Sequence, residues 1–157
     1  MLAQIELFLK ELCITFGMAM IPVVELRGAI PVGVAMGLPP VVACLTAIAG
    51  NLVPVPLVIL FARHLIRWGS RLPGVGELIC HIERRTHLKG RIVKKYRLLG
   101  LILLVAIPLP GTGAWTGALA ASLLDIRLRT ALPGILLGLI VAGSIITALT
   151  IRVAVIL

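Results

Sequence analysis

Charged residues are absent from three long stretches of the chain, residues 28–62, 98–124 and 130–151, which run for 35, 27 and 22 residues. One helical span of a bilayer takes about 20 apolar residues, so length alone predicts three or four spanning helices. Proline and glycine argue against that count. At the centre of 98–124 stands Pro108-Leu109-Pro110-Gly111-Thr112-Gly113, where two prolines and two glycines break a helix and leave backbone groups that lipid cannot satisfy. Such a break must be shielded by protein or by water.

The segment from Pro22 to Gly28 interrupts the first apolar region in the same way, and Met20-Ile21-Pro22 matches Ala106-Ile107-Pro108 at a separation of 86 residues. Short apolar arms flank each break: 15–24 and 29–38 around the first, 98–107 and 114–123 around the second. Ten helical residues rise about 15 Å, half the hydrocarbon core. Each unit therefore reads as a helical hairpin that enters to the midplane and leaves by the same face, followed by a full span over 41–61 or 130–151. The predicted fold class is an all-α integral membrane protein: an inverted repeat of two units, each a re-entrant helical hairpin plus a transmembrane helix, with a basic amphipathic cytoplasmic segment between them. A single membrane domain covers 1–157. Its parts are an interfacial helix (1–14), hairpin 1 plus span (15–62), the basic segment (63–97) and hairpin 2 plus span (98–157).

Charge fixes the expected orientation. Ten Lys and Arg residues fall between Arg63 and Arg97, opposed only by Glu77 and Glu83, and such a loop is cytoplasmic by the positive-inside rule. Hairpin 1 then opens outward and hairpin 2 inward, which returns Asp125, Arg127 and Arg129 to the cytoplasm. A plain four-span chain would leave those two arginines outside. Leu65, Ile66, Trp68 and Leu72 recur among the charges, as do Ile92, Val93 and Tyr96, so this segment is expected to lie on anionic inner-leaflet lipids. Pro73-Gly74-Val75-Gly76 is its expected break. At the N-terminus Leu2, Ile5, Leu9 and Leu12 share a helix face apart from Glu6 and Lys10, and Glu6 and Glu11 do not fit a cleavable signal peptide.

Composition agrees with this class. Of 157 residues 60% are apolar and 13% charged, with a mean hydropathy of +1.15, which excludes an ordinary soluble domain. The formal charge of +9 is concentrated beside the spans, so nucleic acid is not an expected partner. Cys13, Cys44 and Cys80 are odd in number and far apart, and they read as apolar fillers. His64, His81 and His87 lie in the basic segment without metal-ligand spacing. No nucleophile, Walker A or zinc-hydrolase motif is present. Neither an enzyme nor an ATP-driven pump is expected, and no cofactor beyond a coupling proton.

Glu25 and Arg27 are the only charged residues between Glu11 and Arg63. At mid-depth a charge costs at least about 2.5 to 3.5 kcal/mol, so such residues are by default functional. A desolvated carboxylate can bind and release a proton, while Arg27 stays charged and can hold Glu25 or an anionic group. The alternative is a structural pair in a wet outer loop. Pro108, Pro110, Gly111, Thr112 and Gly113 form the matching tip, where unwound carbonyls, the Thr112 hydroxyl and half-helix ends can coordinate a polar group; the glycines can also simply permit close packing. Trp115 and Thr116 follow on the second arm. Asn51, in the first span, is either a helix-packing amide or a ligand.

At these motifs the chain resembles the small multidrug export family. The residues that carry the resemblance are Glu25-Leu26-Arg27-Gly28-Ala29-Ile30-Pro31 and Pro108-Leu109-Pro110-Gly111-Thr112-Gly113-Ala114-Trp115-Thr116-Gly117. It implies a multi-pass protein of the prokaryotic inner membrane and adds Pro31 to the candidate site. That family is in turn distantly similar to the DedA superfamily, which implies facing re-entrant hairpins, proton coupling and movement of lipid carriers such as polyprenyl phosphate. Where DedA proteins carry an arginine near the second Pro-Gly motif, this chain has Thr112, Gly113 and Trp115.

Three functions follow as expectations. The first is proton-coupled export of a small molecule; the alternatives are a lipid-phosphate flippase or scramblase, and a non-transporting membrane scaffold. Two hairpins and two spans offer little protein to enclose broken backbone, so a homodimer is expected.

Overall fold

Every described element is helical in the computed structural model, which describes residues 2–69, 90–108 and 112–156. The helices are α1 (Leu2–Met20), α2 (Glu25–Met36), α3 (Pro40–Leu52), α4 (Pro54–Gly69), α5 (Gly90–Ala106), α6 (Ala114–Leu123) and α7 (Leu128–Ile156). Two helical stretches are long and apolar enough to cross a membrane, Pro40–Ile66 and Leu128–Ala154. Together with the composition, they make this a membrane protein. The expected break at 73–76, Cys80, His81, His87, Pro110 and Gly111 lie outside the described residues.

Boundaries differ from the expectation in three places, each for a local reason. α1 runs unbroken from Leu2 to Met20, through the expected limit at residue 14. The first interruption is shorter than 22–28, because only residues 21–24 leave the helix and α2 already starts at Glu25. Pro31 sits inside α2. The first span bends at Val53, since Pro54 and Pro56 have no N–H for the carbonyls four residues back, although Val53 keeps helical angles (φ −57°, ψ −48°).

Helices α1 and α2 form an antiparallel pair. Gly33 faces Thr15, so closely that an added Cβ would lie 2.8 Å from the Thr15 Oγ1, and Gly37 lies beside Glu11. Helices α5 and α6 pair likewise: Gly117 packs on Val105, and Arg97 Nη1 donates to the Leu124 carbonyl at 3.1 Å. The middle of α5 and the end of α6 are therefore level. Both second arms end in the same Schellman-type turn, which satisfies late carbonyls through a left-handed residue. In α2 that residue is Gly37 (φ +117°) and Leu38 N–H bonds Gly33 O; after α6 it is Asp125 (φ +50°) and Ile126 N–H bonds Ala121 O. Leu38 and Ile126 are both buried.

The helices that follow pack alike too. Gly50 of α3 meets the Phe16 carbonyl and Ala19, whereas Gly138 of α7 meets the Ile102 carbonyl and Val105. Residues 102 and 105 lie 86 positions after 16 and 19. Across the halves α2 contacts α7, α4 contacts α6 and α3 contacts α7. A single apolar core of residues from both halves joins them, including Ile30, Ile59, Leu101, Ile135 and Leu139.

The α3–α4 helix sets the spacing of the two pairs. It begins just after Gly37, at the open end of the α1–α2 pair. At its far end Arg63 Nη2 donates to the Ile126 carbonyl, at the open end of the α5–α6 pair. From Pro40 to Arg63 the helical rise is about 35 Å. The open ends therefore lie at opposite poles, and the two turns meet between them.

Candidate functional site

The site forms where the turn of one pair touches the turn of the other. Glu25 opens α2 with φ +49°, a left-handed conformation that costs a non-glycine residue about 1–2 kcal/mol. It is 6% exposed. Its carboxyl group fills the space that a side chain at Gly113 would need, since an added Cβ there would sit 2.5 Å from the Glu25 carboxyl carbon. Gly113 is the N-cap of α6 and its backbone is extended (φ 175°), so room, and not backbone freedom, demands glycine here. The backbone N–H of Trp115 faces the same carboxylate as a hydrogen-bond donor. Glu25 thus places a negative charge on the positive end of α6, as a helix N-terminus favours.

Arg27, half a turn further along α2, reaches the other side of the break. Its Nη2 donates to Thr112 Oγ1 at 3.0 Å and to the Ile107 carbonyl at 3.4 Å. The Thr112 hydroxyl donates in turn to the Ile107 carbonyl at 2.9 Å. Ile107 directly follows α5, so a cation stands at that helix's negative end. The Glu-x-Arg spacing of α2 therefore serves two helix ends of opposite sign, α6 with the acid and α5 with the base.

Thr116 completes the turn. Its Oγ1 accepts from Gly113 N–H at 2.8 Å and donates to the Gly113 carbonyl at 3.1 Å, which is half of a capping box. Pro108 follows Ile107 and, lacking an N–H, cannot prolong α5. Pro31 lies in α2 away from these contacts.

Asn51 is fully buried, and neither its Oδ1 nor its Nδ2 has a hydrogen-bond partner among the described residues. No helix-packing hydrogen bond is therefore seen for it among the described residues. Trp115 Nε1 is also buried and unpartnered among them. Cys13 and Cys44 are free thiols, and no group of three or more metal-ligating side chains occurs among the described residues.

Three participants carried no signal in the sequence. The Ile107 carbonyl acts through its backbone, which residue identity does not reveal. Arg63 and Arg97 read only as members of a basic segment, yet they bind carbonyls of the 124–126 turn and hold the α5–α6 pair at its open end.

No curated protein and no solved structure matches the chain. One family does, described as "Putative small multi-drug export protein", and its match over residues 25–145 takes in both the Glu25-x-Arg27 turn and the Thr112–Gly113 turn that it closes. The chain belongs to that family.

Proposed function

We propose that this protein is a proton-coupled exporter of small molecules, built as an inverted repeat of two re-entrant hairpins, α1–α2 and α5–α6, each followed by a spanning helix. What carries the reading is one observation: the only acid and base of the first apolar region close the break of the opposite helix pair. The repeated packing at a separation of 86 residues and the polar placement of the two open ends favour the inverted arrangement. In this reading residues 63–97 face the cytoplasm of a prokaryotic cell against anionic lipid, and the copies assemble as a dimer.

The ionised Glu25 carboxylate holds α6 by its N-terminal dipole, and Arg27 holds α5. Protonation of Glu25 removes the charge that α6 favours and weakens the contact between the turns. The strained backbone at Glu25 adds to the tendency to part. Separation of the turns opens the mid-depth site toward one face, and loss of the proton closes it again. No other charged side chain reaches this depth among the described residues: Glu11 lies beside Gly37, α3 has none, and Arg129 and Arg152 stand near the ends of α7.

Ethidium efflux from proteoliposomes across a pH series tests this. Glu25→Gln should remove the pH dependence and leave the protein folded, because the amide keeps the size but not the charge. If Glu25→Gln transports like the native protein at every pH, the carboxylate is structural and proton coupling is wrong. Movement of a polyprenyl phosphate in the same vesicles, with ethidium untouched, would point to a lipid carrier instead.

A further inference from the structure

The Asn51 side chain is fully buried with no hydrogen-bond partner among the described residues. An amide buried without partners loses about 1–3 kcal/mol relative to a satisfied one, and the other half of the molecule shows the economical solution. The turns Gly37 and Asp125, their neighbours Leu38 and Ile126, and the packing glycines Gly50 and Gly138 correspond at a separation of 88 residues. At that separation Asn51 corresponds to Leu139, which is fully buried in the core. Leucine shares the branched outline of asparagine and has no polar atoms to satisfy.

The depth of Asn51 follows from two contacts. Ser122 Oγ donates to the Ile59 carbonyl at 3.2 Å and Arg63 Nη2 donates to the Ile126 carbonyl. Both join residues 63 positions apart, so α4 and α6 run side by side in the same direction. Two turns back along both, across the bend at Val53, residues 51 and 52 come close to the level of 114 and 115. Asn51 is thus at the depth of Gly113, Trp115 and the Glu25 carboxylate. Ala47, Ile48 and Val55, one turn away on its own helix, belong to the shared core, so its face of the helix looks inward.

We propose that Asn51 and Trp115 Nε1 hold water at mid-depth and that this water is the last proton carrier to Glu25. A buried water needs about two to four polar partners. Asn51 supplies a donor and an acceptor, the Trp115 indole a donor and Glu25 an acceptor. A metal cation fits this set poorly, because two of the four groups are N–H donors. In the transfer an O–H bond of the hydrated proton breaks and an O–H bond forms on a Glu25 carboxylate oxygen; the remaining water takes a proton from the next in line, and nothing is oxidised. Asn51 is a positioning residue here. The inference rests on the proton-coupled reading of Glu25, and its test separates the two.

The experiment follows protonation of Glu25 after a pH jump by infrared difference spectroscopy, in full-length protein in vesicles, for the native chain, Asn51→Leu, Asn51→Ser and Glu25→Gln. The carboxylic-acid band lost in Glu25→Gln identifies the group. Asn51→Leu should slow its appearance at least about tenfold, the effect of one lost buried hydrogen-bond partner. Asn51→Ser, which keeps a hydroxyl, should stay within about threefold. Thermal unfolding guards against misfolding: Asn51→Leu should melt at or above the native temperature, whereas loss of a packing hydrogen bond would lower it. A native protonation rate in Asn51→Leu, or a lower melting temperature, overturns the inference and leaves Glu25 in place. Absence of any band that Glu25→Gln removes overturns both.

Discussion

The turns that join α1 to α2 and α5 to α6 both open on Ile-Pro, at Ile21-Pro22 and Ile107-Pro108, and differ in what the described residues place against them. In the turn between α5 and α6, the end of one helix is met by Arg27 and the start of the next by Glu25. Among the described residues, the turn between α1 and α2 receives no such hydrogen-bonded cover from the other half, and Ile21 is 47% and Val23 90% exposed. Extended back from Gly37 and Asp125, the separation of 88 residues would pair Glu25 with Gly113. One side chain can occupy the space where the equivalent positions meet, and two cannot, so an acid on one side requires a glycine on the other. In the proposed inverted repeat, packing is kept while the place where symmetry would bring like charges together becomes asymmetric.

Gly113→Ala is the sharpest way to break this comparison. The added methyl must displace the Glu25 carboxyl, and overpacking of this kind costs about 1–3 kcal/mol. Thermal unfolding should detect the loss, and ethidium efflux should fall further than stability alone explains. Unchanged efflux in a stable Gly113→Ala protein would mean that the turns need not touch.

Arg27→Lys should have the next largest effect. The guanidinium reaches Thr112 and Ile107 together from one nitrogen, and an ammonium keeps the charge but loses the planar geometry. A drop in efflux of about tenfold is expected, equivalent to about 1.4 kcal/mol, with the pH dependence retained because Glu25 is untouched. Full activity in Arg27→Lys would reduce the arginine to a point charge.

The smallest effect belongs to the uncovered turn. Val23→Cys should change stability by less than about 0.5 kcal/mol, as substitutions at exposed positions do, and should leave efflux within about twofold. A helix broken within a bilayer needs protein around it, and in the proposed dimer the second copy supplies it. Cross-linking through the introduced thiol in native membranes should therefore give a dimer, and monomer alone would leave the turn to be covered by something else.

Where proline and glycine bound a helix closely, its limits were legible before any coordinates, because those residues act locally. The second arm of 114–123 coincides with α6, since Gly113 and the Leu124–Asp125 turn bound it on both sides. The first interruption was harder to read. Charged residues at 25 and 27 look like loop, but Glu25 and Arg27 lie in the first turn of a helix, where paired helix ends, and not water, receive their charge. The span over 41–61 was expected to be unbroken; its bend at Val53 has a local cause in Pro54 and Pro56, but nothing local says that α4 then runs beside α6.

Sequence by itself therefore determined the apolar class, the two long helices, the presence of a basic segment and the oddity of Glu25 and Arg27, all of which follow from composition and from rules that act within a few residues. Only the tertiary structure decided what those residues touch. Thr112 lies 85 positions from Arg27 and carries no local signal toward it; Gly113 could have been glycine for its backbone angles, and is glycine for the volume of a carboxyl group. Asn51 has no side-chain partner among the described residues because helices distant in sequence bring apolar surface around it. Contacts of that kind depend on how the two halves close on each other, and the physical reason is that burial is a property of the packed whole, where propensity and hydropathy are properties of a segment.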